Sequence, residues 1–252
     1  MNYDYVIVGA GSAGATLAAR LSADPAIQVA LVDAGPNYRT AEAPEAMFSP
    51  NPGQIIQDPA FSRFRYDALK ARRTRAQEPR TYWRGRGLGG SSAVNGQIAI
   101  RGVVEDYDDW AAMGCPGWAF DDVLPAFRRL ERDLAYGDQP WHGDAGPIPI
   151  YRAPIPQWGA VDQALAEAAL DLGYPGAADH NRPGALGVSP YAINSLNGRR
   201  VSVNDGYLEP ARGRNNLAIF GESRVDKVLF QGDRAVGVRL SWPDGARELT
   251  GV

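Results

Sequence analysis

A short apolar run, Tyr3 to Val8, opens the chain, and small residues separate it from Ala15, Leu17, Ala18, Ala19 and Leu21 at helical spacing. That order predicts a strand, a tight turn and a packed helix. Val29 to Val32 is a second apolar run and predicts a second strand. From Ala41 to Pro59 no period is visible, and an extended excursion is predicted there. Farther on, Asp121 stands as a cap before Val123, Phe127 and Leu130, which share one helical face ending near Glu131 and Arg132. After a proline-rich break from Gln139 to Pro156, an amphipathic helix is predicted from Trp158, Val161, Leu165, Ala168, Ala169 and Leu172, stopped by Gly173 and Pro175. The last stretch turns to strands. Leu217–Phe220, Val225–Phe230 and Ala235–Leu240 read as an antiparallel meander, with turns at Gly232-Asp233 and Pro243-Asp244-Gly245 and a further strand beginning at Arg247 to Leu249.

Two glycine-rich segments add chemistry to this pattern. The first, G-A-G-S-A-G, places Gly9, Gly11 and Gly14 between the first strand and the first helix. Gly9 permits the tight turn, Gly11 leaves room for a pyrophosphate, and Gly14 lets helix and strand approach; the helix-start amides then face the phosphate charge. Asp33 stands at the end of the second strand, about 20 residues after Gly14, where a carboxylate accepts from ribose hydroxyls and repels a 2′-phosphate. FAD or NAD is therefore favoured over NADP. The second segment, Gly85 to Gly96, holds five glycines with no strand and helix around them, and lets main chain approach a large flat group. A flavin dinucleotide meets both demands; a nicotinamide-dependent dehydrogenase leaves the second segment without a task.

Composition narrows the class. With 252 residues, 44% hydrophobic and 22% charged, the chain reads as an α/β globular protein of one large or two ordinary domains. A net charge of -3 gives no reason to expect a nucleic-acid partner. One segment departs from that balance: Arg63, Arg65, Lys70, Arg72, Arg73, Arg75, Arg80, Arg84 and Arg86 face only Asp67 and Glu78, a solvated face from which one or two cations could meet phosphate or an anionic substrate. Cys115 is the only cysteine, so neither an intrachain disulfide nor a thiolate zinc site is expected; it reads as a small turn residue. With a strand predicted from Tyr3, no leader peptide is expected; no apolar run of this sequence approaches bilayer length, and a cytoplasmic location with no membrane partner is expected.

The fingerprint with Asp33-Ala34-Gly35, then R-G-R-G-L-G-G-S-S-A-V-N-G, G-C-P-G-W-A-F-D-D-V-L-P-A-F, H-G-D-A-G-P-I and N-G-R-R-V-S-V-N-D-G-Y-L-E-P-A, resemble the glucose-methanol-choline (GMC) flavin oxidoreductases over nearly the whole chain. The resemblance implies a Rossmann-like FAD-binding domain with an antiparallel β-meander and part of a second, substrate-covering domain. It divides the chain into residues 1–145 (first part of the FAD domain, with an excursion at 36–84), residues 146–205 (partial cap) and residues 206–252 (return to the FAD domain). It also implies adenosine and pyrophosphate contacts from Gly9, Gly11, Ser12, Ala13, Gly14, Asp33 and Ala34. Arg86, Leu88, Gly89, Gly90 and Ser91, with Asn95, Gly96, Gln97 and Ile98, would lie along the flavin half, and Val225 would meet adenine through its backbone. Ala93 and Val94 stand where some relatives carry a flavin-linked histidine, so a non-covalent cofactor is implied.

Such enzymes oxidise small-molecule alcohols with oxygen or another electron acceptor, using a histidine pair near the end of a chain about twice this length. The chain reads as truncated before that pair, and no catalytic residue and no metal site are assigned within it. His142 and His180 are loop histidines, expected as surface or turn-stabilising imidazoles. Two further readings stay open: a hydroxynitrile lyase-like protein that holds FAD without redox turnover, and a non-catalytic half that requires a second polypeptide.

Overall fold

The computed structural model describes residues 2–49, 51–55, 61, 66–68, 76–77, 80–242 and 245–251. Arg63, Arg65, Lys70, Arg72, Arg73 and Arg75 of the basic run, part of the excursion, and Pro243 and Asp244 of the last turn lie outside the described residues. The chain forms two compact units, one of Met1–Gly96 with Arg199–Val252 and one of Gln97–Gly198. The first break falls at the end of the second glycine segment, not at 145. The strand Glu131–Asp133 pairs with Ile148–Ile150, which joins residues 97–145 to the second unit, whereas Arg199 onward already belongs to the first unit.

In the first unit, β1 (Tyr5–Val8), α1 (Ser12–Leu21) and β2 (Val29–Val32) form a strand, crossover helix and parallel strand. β2 is fully buried along its length, because it lies between β1 and a third parallel strand, Leu217–Phe220. This corrects the expected meander. Leu-Ala-Ile-Phe is apolar at every position, the mark of a strand inside a parallel sheet rather than of one with a wet face. Asn216 fixes it there by donating from Nδ2 to the carbonyls of Ser22, Asp24 and Ile27 in the connection between α1 and β2. The meander itself is Arg224–Gln231, Arg234–Trp242 and Gly245–Thr250, paired antiparallel in order. Its Val238 and Leu240 pack with Val32, flanked by Val6, Phe220, Val225 and Leu249, so one apolar cluster joins meander and parallel sheet.

The second unit carries helices Val104–Ala112, Phe120–Leu130 and Ala160–Asp171 and a sheet ordered Glu131–Asp133, Ile148–Arg152, Ala192–Ile193. The first two helices meet through Tyr107, whose ring packs against Phe120 and Phe127. Beside them lies an ionic cluster. His142 is 0% exposed, which corrects the surface imidazole expected of it. Its Nδ1 lies 2.6 Å from Glu131 and 3.2 Å from Asp133, and its Nε2 2.8 Å from Asp179. Ionised carboxylates only accept, so both ring nitrogens carry hydrogen and His142 is an imidazolium. Arg101 meets Glu131 at 2.5 Å, and Arg152 meets Asp133 at 2.8 Å and Asp179 at 2.6 Å. Three carboxylates thus face three cations. Burial alone would lower the imidazolium's pKa, but the hydrogen bonds to Asp179 and Glu131 and the charge of Asp133 raise it to about 9. Glu131, Asp133 and His142 have metal-ligand chemistry. The hydrogens on His142 nevertheless point where an ion would need the ring's lone pair.

Candidate cofactor site

α1 begins without the usual cap. Gly11 stands at its N-cap, no side chain bonds the first-turn amides, and the first turn holds no acid. Ser12 and Ala13 are exposed, so this helix offers N–H donors and the positive end of its dipole to an outside anion. A Cβ on Gly14 would lie 1.9 Å from the carbonyl oxygen of Gly9, which explains why helix and strand close so tightly here.

The second glycine segment lies against the first. Gly89 N–H donates to the Ala10 carbonyl at 2.9 Å, and a Cβ on Gly90 would come within 2.5 Å of Gly11 Cα. Gly90 also has φ +48°, so both space and conformation demand glycine. A single 3-10 turn, Gly90–Ala93, comes next. Leu88, Ala93 and Val94 are buried beneath it, while Ser91, Asn95 and Gly96 face outward. The Leu88 carbonyl accepts from Tyr38 Oη at 2.6 Å, and burial, with Asp205 nearby, raises that phenol's pKa.

Asp33 holds a place that sequence reasoning missed. Its Oδ2 accepts from Ala10 N–H at 2.8 Å, and its Oδ1 from Gly35 at 2.8 Å and Gly87 at 2.9 Å. One carboxylate therefore ties the first glycine segment, the end of β2 and the second glycine segment together. Three acceptor positions are filled in this way, which leaves Oδ2 the less occupied oxygen for a ribose hydroxyl. Arg86 supports the same junction, donating to the Ala34 carbonyl from Nε at 3.1 Å and Nη2 at 2.7 Å while pairing with Glu222 at 3.0 Å. Glycines leave no visible trace of such a tie in the sequence, because the donors are main-chain amides.

Of the candidate residues, Gly9 to Gly14, Asp33, Ala34, Arg86 to Ser91, Asn95 and Gly96 share the first unit, as does Val225 beside the Val32 cluster. Gln97 and Ile98 fall in the second unit. Gln97 is buried with φ +64°, its carbonyl accepting from Asn194 at 3.0 Å, and Ile98 forms a bridge with Ile193.

This geometry has relatives. The model of the GMC oxidoreductase family matches residues 3–250. The chain belongs to the GMC oxidoreductase family. It is 39% identical over 248 residues to a 5-(hydroxymethyl)furfural oxidase of Methylovorus sp. strain MP688, covering 94% of this chain and 46% of that protein. An oxygen-dependent choline dehydrogenase of Pseudomonas fluorescens strain SBW25 is 41% identical, with 94% and 41% covered. Among solved structures, pyridoxine 4-oxidase from Mesorbium loti superposes with a TM-score of 0.90 at 32% identity, covering 99% of this chain and 48% of that one. The chain thus spans less than half the length of these relatives.

FAD is the cofactor of this GMC portion, and the first unit fits it. The uncapped start of α1 suits a diphosphate, and Gly11 meets only Gly90 among neighbours of an added Cβ, leaving its other side open to a ligand. An added Cβ on Gly96 meets nothing within 4 Å, so backbone there is accessible to a planar ring.

Proposed function

We propose that the protein containing this chain oxidises a small-molecule alcohol to the carbonyl compound, with oxygen or another acceptor taking the electrons afterwards. When bound, the flavin supplies N5 as acceptor of the carbinol hydride. The residues of this chain bind and orient. Amides of Ser12, Ala13 and Gly14 hold the diphosphate, Asp33 Oδ2 accepts from the adenosine ribose, and Val225 meets adenine through its main chain. Gly89 to Ser91, Asn95 and Gly96 line the flavin half. Arg86 and Leu88 fix that loop from behind. The base that takes the hydroxyl proton is not assigned to this chain, since His142 has both nitrogens committed to carboxylates and His180 bonds the Gly187 carbonyl at 3.0 Å.

The observation that carries this reading is the meeting of the two glycine segments, joined by Asp33 and by the Gly11 to Gly90 approach. The relatives named for oxidising 5-(hydroxymethyl)furfural, choline and pyridoxine support an alcohol as the substrate class. Anaerobic addition of such an alcohol to the FAD-loaded protein is expected to bleach the visible flavin band. A flavin that stays oxidised while the protein cleaves a cyanohydrin would favour the lyase reading instead. Buried Ala93 and Val94 offer no nucleophile to the flavin, so the cofactor is held non-covalently and acid precipitation is expected to release all yellow colour into the supernatant. Colour retained in the pellet would contradict that. No helix among the described residues is long and apolar enough to cross a membrane, and a cytoplasmic location is part of the same proposal.

A further inference from the structure

The motif N-G-R-R-V-S-V-N-D-G, residues 197–206, places two arginines side by side with opposite fates. Arg199 is exposed, pairs with Glu45 at 2.6 Å and lies over the Phe48 ring. Arg200 is 2% exposed. Among the described residues its hydrogen bonds run to neutral oxygens: Nε donates to the Met47 carbonyl at 3.1 Å, Nη1 to the Ser92 carbonyl at 3.2 Å and to Asn95 Oδ1 at 2.8 Å, and Nη2 to the Asn95 carbonyl at 2.6 Å. Burial pulls the guanidinium's pKa down to about 10, with Asp205 opposing, so it remains charged at neutral pH. Burying a cation among carbonyl groups is costly unless every bond is well placed. Here the planar fork grips three points of one loop and its underlying helical turn, which a lysine's single ammonium cannot span.

The grip has a chemical consequence. With Oδ1 of Asn95 held by Arg200, the Asn95 Nδ2 hydrogens are turned away from Arg200, and Asn95 is itself exposed. We propose that Arg200 is a positioning residue for the flavin: it fixes the 92–96 loop and orients the Asn95 amide so that N–H donors, not the oxygen, meet the acceptor edge of the ring. The proposal rests on the FAD site described above.

Titration of the apo-protein with FAD, followed by flavin fluorescence and visible absorption, tests it in wild type, Arg200→Lys, Arg200→Gln and Arg199→Gln, with far-UV circular dichroism reporting the fold. Wild type and Arg199→Gln are expected to bind alike. Arg200→Gln is expected to bind about tenfold more weakly or worse, as loss of a charge-assisted hydrogen bond implies, with a shifted visible band, and Arg200→Lys to recover only part of the affinity. Folded Arg200 variants with wild-type affinity and spectrum would overturn the proposal and leave the FAD site standing. Failure of wild type to bind FAD would remove both. Unfolding of both Arg200 variants would assign the residue to the scaffold and overturn its role toward the flavin.

Discussion

At the scale of single residues, Asp33 does more than its position after β2 suggests. Rossmann spacing marks it for a ribose, yet its oxygens are engaged by Ala10, Gly35 and Gly87 amides, so it joins two glycine segments that lie far apart in sequence. Asp33→Asn places an amide N–H against main-chain N–H donors at one of these contacts. It is expected to cost about 2 kcal/mol of stability and to weaken FAD binding together, since one carboxylate serves both. Chemical denaturation and FAD titration of the same variant check this; normal stability with lost FAD affinity would return Asp33 to a ribose ligand alone. The role of Gly14 was legible in the sequence, because a glycine one turn into the helix lets helix and strand close on each other. Arg200 was not legible, since a buried arginine bonded to carbonyls looks the same in sequence as its exposed neighbour.

At the scale of elements, local pattern served best where an element's own period decides its form. β2 and the strand Leu217–Phe220 have the predicted bounds, and α1 and the helix Ala160–Asp171 stand where apolar spacing put them. The helix Val104–Ala112 was missed: four acids in Val-Glu-Asp-Tyr-Asp-Asp-Trp hide a stripe whose Tyr107 packs against Phe120 and Phe127 of the next helix. Pairing was also hidden, because neighbours in sequence suggested a meander where a fully apolar strand joined the parallel sheet. His142 shows the same limit, its partners coming from Glu131, Asp133 and distant Asp179. Its pKa is raised from 6.5 to about 9, so the linked stability is fully present below about pH 6.5 and lost as pH rises through about 9. Asp179 has the opposite sign, its lowered pKa giving stability that is lost only in acid. Thermal melts from pH 7 to 10 are expected to show a steeper fall for wild type than for His142→Gln, which is already less stable at pH 7 by on the order of 3 kcal/mol. Parallel curves for the two proteins would mean that His142 is neutral.

At the scale of the whole molecule, the first unit is assembled from both ends of the chain, with residues 97–198 inserted between them. Packing partners change at Gly96 and again at Arg199, the boundaries of the two units. Membership of the GMC family was legible because its glycine and arginine blocks are long and ordered, and the fold came with it. The central claim is that both glycine segments of the first unit hold a single FAD. An experimental structure of the protein with FAD bound tests this most directly. The diphosphate is expected within hydrogen-bonding distance of the Ser12 and Ala13 amides, with the isoalloxazine ring against the 89–96 backbone. FAD density elsewhere, or a ring that leaves the 89–96 segment facing solvent, would contradict it.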